Sequence, residues 1–112
     1  MESSIFEKII AHEINADILY EDDIAIVIRD INPQAPTHVL IIPKTKIERL
    51  TSANETDSDI LGHLLVVAKK FAKTNNITSF RIVINNGIQA GETVPHLHIH
   101  LLAGRTMSWP PG

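Results

Sequence analysis

No cysteine occurs in this chain. That excludes disulfide scaffolds, thiolate zinc sites and cysteine nucleophiles, and makes a cytoplasmic home the expectation. Basic runs are missing too, Lys69-Lys70 being the longest, and the net charge is -3. A duplex nucleic-acid footprint needs clustered Lys and Arg, so nucleic acid is not an expected partner. An anionic ligand would have to be held locally, by backbone N–H groups and imidazoles. Long apolar runs are absent as well. VLII and ILGHLLVVA, the latter with a histidine inside, fall short of the ~18 residues of a membrane span. The opening MESSIFEKII carries acids early and no apolar h-region, so it does not read as a signal peptide. No Gly-Lys-Ser/Thr follows a glycine loop and no GxGxxG occurs, which disfavours the ATP and NAD chemistry of those motifs. With no internal repeat, low-complexity tract or linker, residues 1–112 are expected to form one domain with one core.

What is present is 44% hydrophobic residues at a mean hydropathy of +0.06, the balance of a globular chain. Ser3 or Ser4 is placed to cap a short helix over IFEKIIAHE, with Ile5, Ile9 and Ile10 on one face. ADILYED and IAIVIRDI read as two strands of a hairpin about the acidic turn Glu21-Asp22-Asp23. NPQAPT, with two prolines, is a loop, and HVLIIPK a third strand stopped by Pro43. From Asp57 to Asn75 the apolar residues Ile60, Leu61, Leu64, Leu65, Ala68, Phe71 and Ala72 keep a helical period, making this the main helix. SFRIVINN and HLHIHLLA complete five strands, separated by the two-glycine loop NGIQAGETVP. The expected fold is α+β: a mainly antiparallel five-stranded sheet with its helices on one side.

The last strand carries His96, His98 and His100, three of the six histidines, at every second position. On a strand these would share one face, with Leu97, Ile99 and Leu101 pointing into the core. A single polar-face histidine would be unremarked; three in register ask for chemistry. Metal binding by all three is disfavoured. The outer Cα atoms of a straight strand lie about 13 Å apart at ~3.3 Å per residue, and a histidine Cα stands only about 6 Å from a metal it ligates at ~2.0–2.1 Å. A site made of His96 or His100 with His98 and a fourth ligand such as His38 stays open. Nucleophilic catalysis suits the spacing better. A neutral imidazole attacks phosphorus or an acyl carbon once its tautomer is fixed, and an imidazolium beside it can offset phosphate charge. In the preceding loop, Asn85, Gly87, Gly91 and Thr93 offer close backbone N–H groups and a hydroxyl donor, a cradle for phosphate.

His96-Leu-His98-Ile-His100-Leu-Leu resembles the signature of the histidine-triad (HIT) family, in which histidines alternate with apolar residues. DINPQAPTHVLIIPK resembles that family's strand–loop–strand segment, and AGRTMSWPPG the tail of its Hint branch, the purine nucleoside phosphoramidases. The likeness covers about residues 5–112. It implies a HIT-like fold pairing into a two-fold homodimer through the main helix and fourth strand, with 103–112 as a C-terminal arm. By the resemblance His98 is the nucleophile and forms a nucleotidyl-histidine that water hydrolyses. His100 binds the α-phosphate, His96 supports the central ring, and His38 is a fourth active-site histidine behind the triad. Asp30 binds the ribose hydroxyls beside Ile31, which lies next to the base, while Asn85, Gly91, Glu92 and Thr93 line the phosphate site. Thr93 stands where the family commonly has serine, and Pro95 where it often has an aromatic or other non-proline residue. No metal or organic cofactor is implied. The alternatives are a dinucleoside polyphosphate hydrolase, a purine-nucleotide-binding regulatory protein without turnover, and a histidine metal-binding protein. His12 and His63 read as surface or boundary residues, and Trp109 as an anchor for the proline-stiffened tail.

Overall fold

The acidic turn at residues 21–23 forms the expected hairpin, and its wiring explains why it is acidic. A computed structural model of the chain describes residues 3–112. In it the Asp22 carboxylate accepts from the Tyr20 hydroxyl at 2.7 Å and from the Ile24 and Ala25 amides at 2.8 Å each. His63 Nε2, from the main helix, lies 2.7 Å away. Burial opposes the charge on Asp22, but these hydrogen bonds outweigh it and hold the carboxyl far below its ordinary range. His63 thus links helix to hairpin, more than the boundary residue expected of it. His12 is exposed and lies 3.3 Å from the Glu21 carboxylate.

The elements are α1 (Ile5–Ile10), β1 (Ile18–Glu21), β2 (Ala25–Arg29), β3 (Thr37–Pro43), α2 (Ser58–Thr74), β4 (Phe80–Val83) and β5 (Ile99–Ala103). Most are shorter than the sequence pattern predicts. α1 stops at Ile10 because Ala11 caps it and His12 turns left-handed at φ 59°. Its start is fixed by a capping box: Ser4 Oγ accepts from the Glu7 amide while Glu7 accepts from the Ser4 amide. Its buried face is Phe6 and Ile9, whereas Ile5 faces outward. α2 is entered through two short 3₁₀ turns and buries Leu64, Val67, Ala68 and Ala72; Leu65, expected inside, is 53% exposed.

The strands form one antiparallel sheet in the order β1-β2-β3-β5-β4, so α2 carries the chain across from β3 to the far edge, and β5 returns to fill the gap. Ala25, Val27, Val39, Ile41, Leu101 and Ala103 pack against α2 in one core. Ile26, Ile28, Leu40 and Ile42 pack against Phe6 and Ile9 in another. These residues alternate along the strands, so the two helices cover opposite faces, correcting the expectation of helices on one side. Each Val, Leu or Ile among them contributes about 1.5–3 kcal/mol on burial. The α1 face of the sheet carries two cross-strand rows. Leu40 pairs with His100, which pairs with Val83; His38 pairs with Leu102, which pairs with Arg81. Among the described residues no helix is long and apolar enough to cross a membrane.

Candidate functional site

β5 begins only at Ile99, so His96, at a bend, and His98 lie in the segment that leads into it. The Leu97 amide donates to the Ile47 carbonyl at 2.7 Å, tying that segment to the connection that follows β3. Alternation still holds through it: Leu97, Ile99 and Leu101 lie in the core under α2, while Phe6 meets His96 and His98 on the other face, where the three rings do different things.

His96 is fully buried. Its Nε2 lies 2.9 Å from the Pro43 carbonyl, which can only accept, so Nε2 carries the proton. Nδ1 then accepts from Ser4 Oγ at 3.3 Å. Burial is the main cause pushing its pKa down. With both nitrogens engaged and no solvent contact, His96 is a structural support. The Phe6 ring meets it edge-on at 5.9 Å and His98 at 5.0 Å.

In His98, Nδ1 sits 2.7 Å from the His96 carbonyl and must donate to it. Its other nitrogen, Nε2, is left as a lone pair with no protein partner among the described residues, the tautomer a nucleophile needs.

A third chain of hydrogen bonds sets His100. The Gln34 amide donates to His38 Nδ1 at 3.0 Å, so His38 carries its proton on Nε2. That nitrogen is 2.9 Å from His100 Nδ1 and 3.4 Å from Asp30 Oδ2. His100 Nδ1 is thus an acceptor, and its proton lies on Nε2, its outward nitrogen. Burial first, then the neighbouring His98 and His38, lower the His100 pKa to about 4. At neutral pH the ring beside His98 is an N–H donor, not the imidazolium considered from sequence. Side by side, at 5.0 Å between centroids, stand a lone pair and a donor.

Asp30 comes to this cluster as expected, its Oδ1 also accepting from the Asn32 amide. Ile31 beside it is 99% exposed, an apolar side chain with nothing covering it. The Asn85 side chain lies beside Gly91, whose φ of 100° favours glycine there. Thr93 is exposed on the turn before the histidines. The Glu92 side chain is nearly buried, and its carboxylate is held by Arg49 and the Gly87 amide. Trp109 is 82% exposed, so within one chain it does not anchor the tail. Asp30, His38 and His100 each present a ligand atom within 4.8 Å of the others, a set able to hold a metal ion. That trio differs from the histidine combinations considered from sequence. A separate cavity of about 740 Å³, lined by Arg81 and Arg105 among others, contains none of the histidines. Sequence reasoning did not find Ser4, Phe6, Gln34 or Arg49. Only the Ser4-x-x-Glu7 capping box had a local signature.

The histidines make folding pH-dependent. His100 and His96 bind protons less readily folded than unfolded, so the unfolded chain takes up more protons below their ordinary value of 6.5. Stability is whole above that value and falls as pH drops toward 4. Below about 4.5 the depressed carboxylates Glu92, lowered to about 2 chiefly by Arg49, and Glu21, lowered chiefly by Lys44, lose their contribution in turn. Urea unfolding across pH 7 to 4 should show the first loss, and His100→Asn should flatten it. An identical slope in the variant refutes the assignment to His100.

The HIT domain model matches residues 11–107. The 14 kDa zinc-binding protein of Zea mays is 51% identical, over 97% of this chain and 88% of that protein. A HIT family hydrolase from Legionella pneumophila superposes with a TM-score of 0.96 at 44% identity, covering 98% of this chain and all of that one. A histidine triad nucleotide-binding protein from Candida albicans superposes at 0.83 with 34% identity, covering 96% and 83%.

Proposed function

Because the chain belongs to the HIT domain family, we propose that it is a cytoplasmic hydrolase of the Hint branch, cleaving the P–N bond of purine nucleoside 5′-phosphoramidates. The observation that carries this reading is the pair of fixed tautomers, His98 with a bare Nε2 and His100 with an outward N–H. His98 Nε2 attacks the α-phosphorus and the bond to the amine breaks. The amine leaves with a proton drawn from solvent through the exposed Thr93 hydroxyl, and the water that hydrolyses the adduct returns one. Water then attacks the nucleotidyl-histidine, yielding the nucleoside monophosphate and restoring the ring. The His100 N–H stabilises charge on the phosphoryl oxygens in both steps. Asp30 takes the ribose hydroxyls, Ile31 the base, and Asn85, Gly91 and the Glu92 backbone the phosphate. The names of the Legionella and Candida neighbours, a hydrolase and a nucleotide-binding protein, agree with it. The experiment is a steady-state comparison of AMP-amines, GMP-amines and diadenosine polyphosphates. Preference for the polyphosphates would give the reading to a dinucleoside polyphosphate hydrolase, and binding without turnover to a regulatory nucleotide-binding protein.

Zinc binding is the second reading. It is favoured by the Asp30–His38–His100 trio and by the name of the Zea mays relative. Activity that survives exhaustive EDTA supports the metal-free mechanism; activity lost on chelation and restored by zinc overturns it.

Pairing into a homodimer completes the proposal. β4 is an edge strand, and the exposed Leu65 and Val66 on α2 with Phe80 on β4 supply apolar surface for a two-fold partner. The tail beyond β5, with Pro110 and Pro111 barring helix or central strand, extends as an arm toward the partner's site. Sedimentation should give a dimer, and a chain lacking 107–112 should remain one. Its kcat/KM ratios across different amine leaving groups should shift. A monomeric wild type sinks the dimer, and unchanged ratios sink the role of the arm.

A further inference from the structure

Arg49 lies on the connection between β3 and α2, far in sequence from the histidines and without any motif to mark it. Its Nε and Nη2 grip the Glu92 carboxylate at 3.0 and 2.9 Å. The same carboxylate accepts from the Gly87 amide at 3.0 Å, while the Glu92 amide donates back to the Gly87 carbonyl at 3.1 Å. Residues 87–92 are thus closed into a ring in which Gly87 at φ 96° and Gly91 at φ 100° take the positive φ that favours glycine. A second tie, from the Thr51 amide and hydroxyl to Asn86 Oδ1, joins the same two segments.

This latch puts a nearly buried carboxylate beside a site proposed to take an anion. Glu92 directly precedes Thr93 on the loop that leads into the histidines, so its charge lies close to any phosphate held there. We propose that Arg49 is a positioning residue that neutralises Glu92, letting a carboxylate brace the phosphate loop without repelling the nucleotide. The idea rests on the nucleotide reading given above. Glu92 serves the loop as an acceptor for the Gly87 N–H; its charge is a by-product that the guanidinium cancels. Removing the guanidinium alone leaves a buried, unpaired charge facing the ligand, whereas removing both charges leaves the site neutral again.

The test is equilibrium binding of AMP and of adenosine to the full chain by calorimetry, at low and at moderate salt. Arg49→Ala should weaken AMP about tenfold at low salt, less at higher salt, as a Coulomb effect requires. Adenosine, which has no phosphate, should bind the variant within about twofold of wild type. Glu92→Gln, which keeps an acceptor for Gly87, should bind AMP at least as well as wild type. The double variant Arg49→Ala/Glu92→Gln should recover AMP affinity to within about threefold, and Arg49→Lys, which keeps the charge, should lose little. Unchanged AMP binding in Arg49→Ala overturns the inference. So does equal weakening of AMP and adenosine with no recovery in the double variant, which is the signature of a collapsed loop. If Arg49→Ala alone does not fold, the double variant decides: folded and unable to bind AMP, it refutes the neutralising role. A wild-type chain that binds no AMP brings down the nucleotide reading first and this inference with it, a result distinct from either variant failing.

Discussion

His98→Ala should lower turnover of a nucleoside phosphoramidate by about 10³-fold or more, with the fold retained by circular dichroism. The reason is specific to the ring. Among the three triad histidines, His96 has both nitrogens bound inside the protein and His100 has its outward nitrogen protonated. Only His98 presents a bare lone pair, fixed by the bond from its Nδ1 to the His96 carbonyl. Quenching a reaction in wild type and mapping acid-sensitive adducts by mass spectrometry should place the nucleotidyl group on His98. Near-normal turnover in the alanine variant means the covalent route assigned here is wrong. A large loss with no adduct at this position would move the nucleophile to another group.

His100→Ala should cost about 10² to 10³-fold in kcat, the usual consequence of deleting one donor aimed at charge developing in the transition state. The nucleophile itself is untouched, so the adduct on His98 should still form, only slowly. Because His100 depends on His38 for its tautomer, His38→Ala should produce a smaller loss in the same direction, through misplacement of the proton rather than removal of the ring. A pre-steady-state measurement of adduct formation separates these from effects on water attack. A kcat for His100→Ala within tenfold of wild type would show that the outward N–H contributes little, and the phosphoryl charge would have to be met by the loop amides.

Periodicity alone was enough to read the strands and α2, because alternation and the i, i+3, i+4 spacing are local consequences of burying one face. The hairpin was legible for a related reason: an acidic turn between two β-branched runs has few other uses, and Asp22 binds its own turn's amides. Motif reading also picked out His96, His98, His100, His38 and Asp30, which the fold brings together from β3, its preceding loop and the approach to β5. Spacing could not say which histidine does what. Tautomers are set by partners remote in sequence: Ser4 and Pro43 for His96, Gln34 for His38 and through it His100. The placement of α1 opposite α2 was invisible for the same reason. Ile26, Ile28, Leu40 and Ile42 alternate with the other core's residues, so β2 and β3 are apolar on both faces, and nothing local says which helix lies where. Leu65 reads as core by period yet faces outward, since a period marks an apolar stripe but not its width. Arg49 and Glu92 sit 43 positions apart. Their pairing exists only because tertiary folding lays the β3–α2 connection against the glycine loop.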